Sequence, residues 1–252
     1  AMARALLGDR LDIHTGGEDN IFPHHECEIA QSESLTGQPF ANYWLHAKFL
    51  QVDGGKMSKS LGNVYTLDDV RARGFDLRAL RLTLIRGHYR TPLNFTWDIL
   101  QAQAKALENL DDLVARLRRI AGGKEDCSSP DIGQEAVASA MTAFERAMND
   151  DLNVPEALAP LFGLRDRVLE RAVGARAAET GLEFLRRANE VLGVIDMAEH
   201  SLDAEIESLI GLRQHARAAR DFQGADRIRD ELLARGIELQ DTPSCVHWRK
   251  KS

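Results

Sequence analysis

Two adjacent histidines, a cysteine and three glutamates stand together in "FPHHECEIAQSE" (Phe22 to Glu33), directly after a glycine pair and a short acidic turn. If residues 24–34 are helical, His24 and Glu28 lie one turn apart on one face, the spacing at which two side chains can hold one metal ion. Neutral imidazole and carboxylate are both ordinary zinc ligands. Cys27 falls near the same face, whereas His25 points elsewhere. The competing reading is structural: acids in a first turn offset the helix dipole, and the histidines merely hydrogen-bond. Two ligands do not make a site, so on this stretch alone the structural reading stands ahead.

The preceding "HTGGEDN" adds a Gly pair after a buried strand, which lets a ligand approach the backbone closely, and Asp19 could accept from a sugar hydroxyl. A second constellation is "KMSKS", Lys56 to Ser60, behind Gly54 and Gly55. Two ammonium groups on a mobile loop suit a clamp for triphosphate, supplying charge where charge develops in a transition state. The competing reading is an exposed basic turn.

The elements that must position these groups follow from pattern. "LDIH" (Leu11 to His14) reads as a buried strand and "TGGEDN" as a turn, with Pro23 where a helix can begin and a helix running from His24 to about Gly37. "YWLHAKFLQVDG" reads as one or two strands and "GGKMSKSLGN" as a loop, followed by short helices over Leu67–Arg73 and Asp76–His88. From Asp98 to Ala121, apolar residues recur at threes and fours, the mark of an amphipathic helix. Residues 122–133 are a Gly-, Ser- and Pro-containing linker. Helices are expected at about 134–149, 155–173, 179–195, 203–219 and 222–235, and "IELQD" as a short strand.

Of the 252 residues, 44% are hydrophobic and 6% aromatic, enough for at least one core and suggestive of mostly helical structure. No apolar run approaches the roughly 20 residues a membrane helix needs, and three distant cysteines (Cys27, Cys127, Cys245) fit a reducing cytoplasm. A net charge of −7 argues against coating nucleic acid by bulk electrostatics. A local basic face stays open: Arg213, Arg217 and Arg220 recur at helical spacing, and Trp248 stands beside Lys250 and Lys251. The tryptophan could stack on an unpaired base while the cations meet phosphate, or it could cover a small core while the arginines form surface pairs.

"KMSKSLGN" is similar to the second signature of class I aminoacyl-tRNA synthetases. With "HTGGEDNIFPHHECEIAQSE", "YWLHAKFL", "GHYRTPLNFT", "DDLNVPEAL" and the closing "ARAARDFQGADRIRDELLARGIELQDT" and "HWRK", the chain resembles the cysteinyl-tRNA synthetase family nearly end to end. The resemblance implies an α/β, partial Rossmann-like catalytic core over 1–92, a mostly α-helical bundle over 93–200 and a small helical anticodon-binding module over 201–252. It implies ATP-dependent activation of L-cysteine to cysteinyl-adenylate, transfer to tRNA(Cys), Mg2+ with the ATP and one zinc ion per subunit. By motif position His24 and Glu28 are zinc ligands. Gly17, Asp19 and His14 lie by the adenosine, and Lys59, with Lys56 second to it, meets the phosphates as the catalytic pair. Trp248, Arg213 and Arg217 contact the anticodon part of the tRNA. A cytoplasmic monomer that touches no membrane is the default expectation.

The family's other ATP signature and its two zinc-binding cysteines belong upstream of Ala1, the second cysteine only just before it, in a stretch that usually reads "ECSAM" and of which Ala1-Met2 resembles the end. The chain is therefore expected to be partial, to expose strand edge and apolar surface, and by itself neither to activate cysteine nor to hold zinc tightly. Thr15 stands where many members have Gly and Cys27 where many have Asn; the thiol is read as passive. Rival readings are a cysteine ligase of mycothiol synthesis acting on an amino sugar, and a non-catalytic tRNA-binding product.

Overall fold

The computed structural model describes residues 2–123, 133–170, 172–198, 204–219, 221–241 and 246–250. The expected linker falls mostly outside them, as do Cys127, Arg220, Cys245 and Lys251.

Helix α1 (Met2–Leu7) precedes strand β1 (Leu11–Gly17), which pairs in parallel with β2 (Ala41–Ala47). Helix α2 (Glu26–Thr36) crosses between them, as a parallel pair requires. The register sets Ile13 beside Tyr43, His14 beside Trp44 and Gly16 beside His46. Because side chains alternate along a strand, His14, Trp44 and His46 share one face. Ile13 and Tyr43 share the other, where they are 60% and 68% exposed, an apolar surface of the kind expected. β1 is longer than its sequence suggested: Thr15 to Gly17 continue the strand instead of turning, because parallel pairing with β2 satisfies their backbone. α2 likewise begins later than expected, at Glu26, after a wide turn over Ile21–His25 that contains Pro23.

β3 (Leu50–Val52) pairs antiparallel with β4 (Gly55–Lys56) and parallel with β5 (Leu93–Phe95). Asp53 and Gly54 both take positive φ (50° and 76°), the geometry of a two-residue hairpin turn, so the segment read as loop starts as a strand. Helix α3 (Leu67–Ala72) opens with Thr66 and Asp69 in a reciprocal cap, and α4 (Leu77–Ile85) opens on Asp76. Then come α5 (Trp97–Ala121), α6 (Gln134–Asn149), α7 (Val154–Leu169, capped by Asn153) and α8 (Ala175–Leu192). The tail has α9 (Ala204–Ala218), α10 (Phe222–Ala234) and an antiparallel pair, β6 (Ile237–Asp241) with β7 (Val246–Lys250). β7 was not anticipated, since no strand was expected after "IELQD"; its backbone partner in β6 decides the matter.

The buried side chains fall into separate cores. One small cluster of Leu11, Phe40 and Ala41, with Trp44 against it, lies under β1 and β2. A large one runs from Val52, Val70 and Phe95 through α5 into α6, α7 and α8. A third, of Leu232, Ile237 and Leu239, holds the tail. The strand–hairpin unit carrying the 56–60 loop thus shares its core with the bundle, not with β1 and β2. Arginines of α4 strengthen that attachment: Arg81 donates from Nε to the Leu192 carbonyl at 2.5 Å, and Arg78 grips the Asp111 carboxylate at 3.1 and 3.2 Å. Cations at the carbonyl end of α8 are favoured by its dipole. Among the described residues no helix is long and apolar enough to cross a membrane.

Leu117 is fully buried in the large core, with Gly181 of α8 beside it. Leu117→Ala is expected to lower stability by about 2–5 kcal/mol. Leu233→Ala, at a half-exposed position, should change it by less than about 0.5 kcal/mol. Urea unfolding followed by helical circular dichroism measures both.

Candidate functional site

The face of β1 and β2 that bears His14, Trp44 and His46 is covered by the wide turn and the first turn of α2. Gly16 makes that cover possible: a Cβ there would stand 2.7 Å from Cε1 of His25. The glycine therefore serves a side chain of the same protein, which lies against the strand backbone. Gly17 has a different constraint, since its Cβ would meet Oδ1 of Asp19 at 2.4 Å. The Asp19 carboxylate is folded back toward the strand end.

His25, read from the sequence as pointing away, is 4% exposed and central. Its Nδ1 lies 2.8 Å from Nε2 of His46, and its ring centroid is 4.8 Å from that of His14 and 5.0 Å from that of Trp44. Which ring nitrogen carries the shared proton depends on tautomer. His14 stacks edge-on against Trp44 at 4.7 Å and approaches Glu28, its Nε2 2.8 Å from Oε2. The other carboxylate oxygen, Oε1, faces His24 Nε2 at 3.8 Å, with His24 well exposed. Glu28 thus stands between two imidazoles, one inside and one at the surface. Ligand atoms of His14, His25 and Glu28 lie within 4.8 Å of one another.

The side chains close enough together that they could hold one metal ion are His14, His25 and Glu28. His24 Nε2 stands 3.8 Å from Glu28 Oε1, against a separation of about 3.3 Å between two ligands on a tetrahedral zinc. The 2.8 Å contact of His14 with Glu28 is a direct hydrogen bond. Cys27 is exposed.

The sequence reading had not singled out His25, His46 and Trp44 as site residues. A signal for the last two existed: Trp44 and His46 are two apart in a strand and so share a face. Nothing in local pattern says that His25 lies over Gly16, because that depends on pairing of β1 with β2.

In the 56–60 loop the Asn63 side chain is the organiser. Its Oδ1 accepts from the Ser58 backbone at 2.8 Å and its Nδ2 donates to the Lys56 carbonyl at 3.1 Å. Met57 packs on the large core and Lys56 is exposed. The backbone of Lys59 begins a short 3-10 turn; its side chain lies outside the described residues. In the tail, Arg217 is exposed and Arg213 is 3% exposed, in the interior of the module. The Trp248 backbone pairs with Leu239, and its side chain also lies outside the described residues.

Comparison with known proteins adds three findings. Residues 1–105 match the family model of the class I (C) tRNA synthetase catalytic domain, 143–196 that of the DALR domain, and 199–249 that of the cysteinyl-tRNA ligase anticodon binding domain. The chain is 47% identical over 258 residues to a cysteine–tRNA ligase of Symbiobacterium thermophilum, covering 99% of this chain and 55% of that protein. It is 48% identical over 259 residues to one of Solibacter usitatus, covering 99% and 54%. It spans about half the length of the curated relatives it matches. A solved ternary complex, Agrobacterium radiobacter K84 agnB2 LeuRS–tRNA–LeuAMS, superposes with a TM-score of 0.57 at 20% identity, covering 72% of this chain and 25% of that one, a likeness of fold.

Burial, then the neighbouring His14 and His46, hold the His25 imidazole below its ordinary value of 6.5. Its NMR titration midpoint should lie below 6.5. Because the folded value is below the unfolded one, its contribution to stability is complete above pH 6.5 and is lost as pH falls from there through the lower folded value. In Gly16→Ala the displaced ring should titrate closer to 6.5; an unchanged midpoint would show that the backbone contact does not hold it.

Proposed function

We propose that the chain is part of a cysteine–tRNA ligase and serves the ATP-dependent ligation of L-cysteine to tRNA(Cys), as a cytoplasmic monomer. In the first step the cysteine carboxylate attacks the α-phosphorus of ATP, with Mg2+ on the phosphates. The bond to the β-phosphate breaks and pyrophosphate leaves. In the second step a ribose hydroxyl at the 3′ end of the tRNA attacks the cysteinyl carbonyl and AMP leaves.

The observation that supports this best is Glu28 between His14 and His24. His24 and Glu28 are the residues of this chain that would hold zinc, with His14 fixing the carboxylate. When bound, zinc supplies selectivity, because it binds a thiolate strongly and a serine hydroxyl weakly. His14 therefore acts from behind the metal ligand as well as near the nucleotide. Gly17 and Asp19 border the adenosine, and Lys59, with Lys56, meets the phosphates. Residues 1–92 carry the chemistry, 93–200 form the bundle and 201–252 read the anticodon. There Trp248 and Arg217 are the groups offered to RNA, since the buried Arg213 is better suited to organising the module. The match of 199–249 to an anticodon binding domain favours tRNA over an amino sugar as acceptor.

A chimera tests this. Residues 1–252 replace the matching part of the Symbiobacterium protein, and cysteine-dependent ATP–pyrophosphate exchange and tRNA(Cys) charging are measured. Both activities are expected, with serine excluded. Glu28→Gln in the chimera should lower bound zinc and cysteine-dependent exchange by about 10–100-fold. A chimera that folds yet charges serine as readily as cysteine, or retains full activity without metal, refutes the reading.

A further inference from the structure

The outer side of Glu28 is Oε1, which faces His24. Its inner side belongs to a separate set of donors. Glu28 Oε2 lies 2.8 Å from His14 Nε2, and ligand atoms of His14, Glu28 and His25 all fall within 4.8 Å of one another. They come from β1, α2 and the wide turn before it, so no local spacing announces the set. Two ligands on a tetrahedral zinc stand about 3.3 Å apart. The His14–Glu28 contact is shorter than that, so an ion entering here would replace the hydrogen bond and draw the third ligand in. His25 is buried, so the movement falls to His14 and Glu28, whose side chains are 23% and 32% exposed.

The ring of His25 suits the role. Its Nδ1 lies 2.8 Å from Nε2 of His46. In the tautomer whose Nδ1–H donates to His46, Nε2 keeps a lone pair. A ligating histidine ordinarily has its other nitrogen engaged in this way, which fixes the tautomer and the ring's orientation. The remaining nitrogen lies over the bare backbone of Gly16, where a Cβ would stand 3.0 Å from it. Trp44 lies against both rings, its centroid 5.0 Å from that of His25 and 4.7 Å from that of His14. Two imidazoles and one carboxylate, with a fourth position left open, form a donor set for a borderline divalent cation such as zinc. Mg2+ and Ca2+ prefer oxygen ligands.

We propose that His14, His25 and Glu28 form a second, inner site for a zinc-class divalent cation, with His46 supporting His25 from behind. The site differs from the one that the ligase reading assigns to zinc. It does not need His24, it draws every ligand from this chain, and it uses Oε2 of Glu28 where the other uses Oε1. The inference goes beyond the ligase reading and does not rest on it, since the donor geometry carries it. The inner set offers three ligands and the outer pair offers two, so in the 252-residue chain the inner site fills first. The two sites share one carboxylate, and an ion at the inner one takes the place of the hydrogen bond that now joins Glu28 to His14.

The test is a titration of the 252-residue chain with Zn2+, with affinity read by calorimetry and the histidine rings followed by NMR. A single ion should bind and shift the His14, His25 and His46 ring resonances. His46→Ala should weaken binding about tenfold, the low end for a lost supporting group. His14→Ala and His25→Ala each remove a ligand and should weaken it by more than about tenfold. His24→Ala should leave the affinity unchanged. If His25→Ala fails to fold, His14→Ala, at a half-buried position, decides the matter. A folded chain that does not bind Zn2+ refutes the site. So does loss of binding in His24→Ala with retention in His14→Ala, which would put the ion on the outer pair. Either failure with an active chimera sinks the inner site alone; an inactive chimera bears on the ligase reading instead.

Discussion

The candidate site depends on one close approach, the imidazole of His25 against the backbone of Gly16. A Cβ at position 16 would stand 2.7 Å from Cε1 of His25, so the ring or the strand would have to shift. The same imidazole bonds to His46, and the neighbouring first turn of α2 carries Glu28 to His14. The arrangement is layered: a glycine in a strand, a neutral buried imidazole over it, and outside that a carboxylate between an inner and an outer histidine. Each layer orients the next, which is how a shell of supporting groups fixes a reactive one.

A second constraint is the division of the hydrophobic core. The strand pair bearing the histidines has its own small cluster, whereas the hairpin and the 56–60 loop share a core with the bundle. Packed interiors move as units because they tolerate little internal change in volume. The loop and the bundle therefore form one body as far as packing goes, held further by Arg78 and Arg81 of α4. The junction with the strand pair is polar and open, and there lie Lys48, Tyr89 and Arg90. Asp151, at the corner between α6 and α7, accepts from both Tyr89 and Arg90 of this junction.

Much of the helical content was legible in the sequence. The spacing of Leu107, Leu110, Leu113, Val114, Leu117 and Ile120 gave α5 its buried stripe, and those residues are indeed buried. Thr66, Asp76 and Asn153 mark helix starts by caps that act within three residues. Strand limits were less legible. β1 was cut short at His14 and β7 passed unnoticed, because each is decided by its partner strand, β2 about 30 positions on for the first and β6 for the second.

The sequence by itself put His24 and Glu28 four residues apart and two lysines in "KMSKS" behind Gly54 and Gly55, and determined which family the whole resembles. Those are matters of local spacing and residue type, and an α-helix converts spacing into direction without outside help. Only the tertiary structure decided that His25 is the buried centre, that His14 and not solvent lies behind Glu28, that Arg213 faces inward, and that Asp151 holds Arg90 from 61 positions away. Each of these depends on which surfaces of separate elements meet. That is settled by how the parallel strands pair and how the bundle packs, and no single segment contains the information.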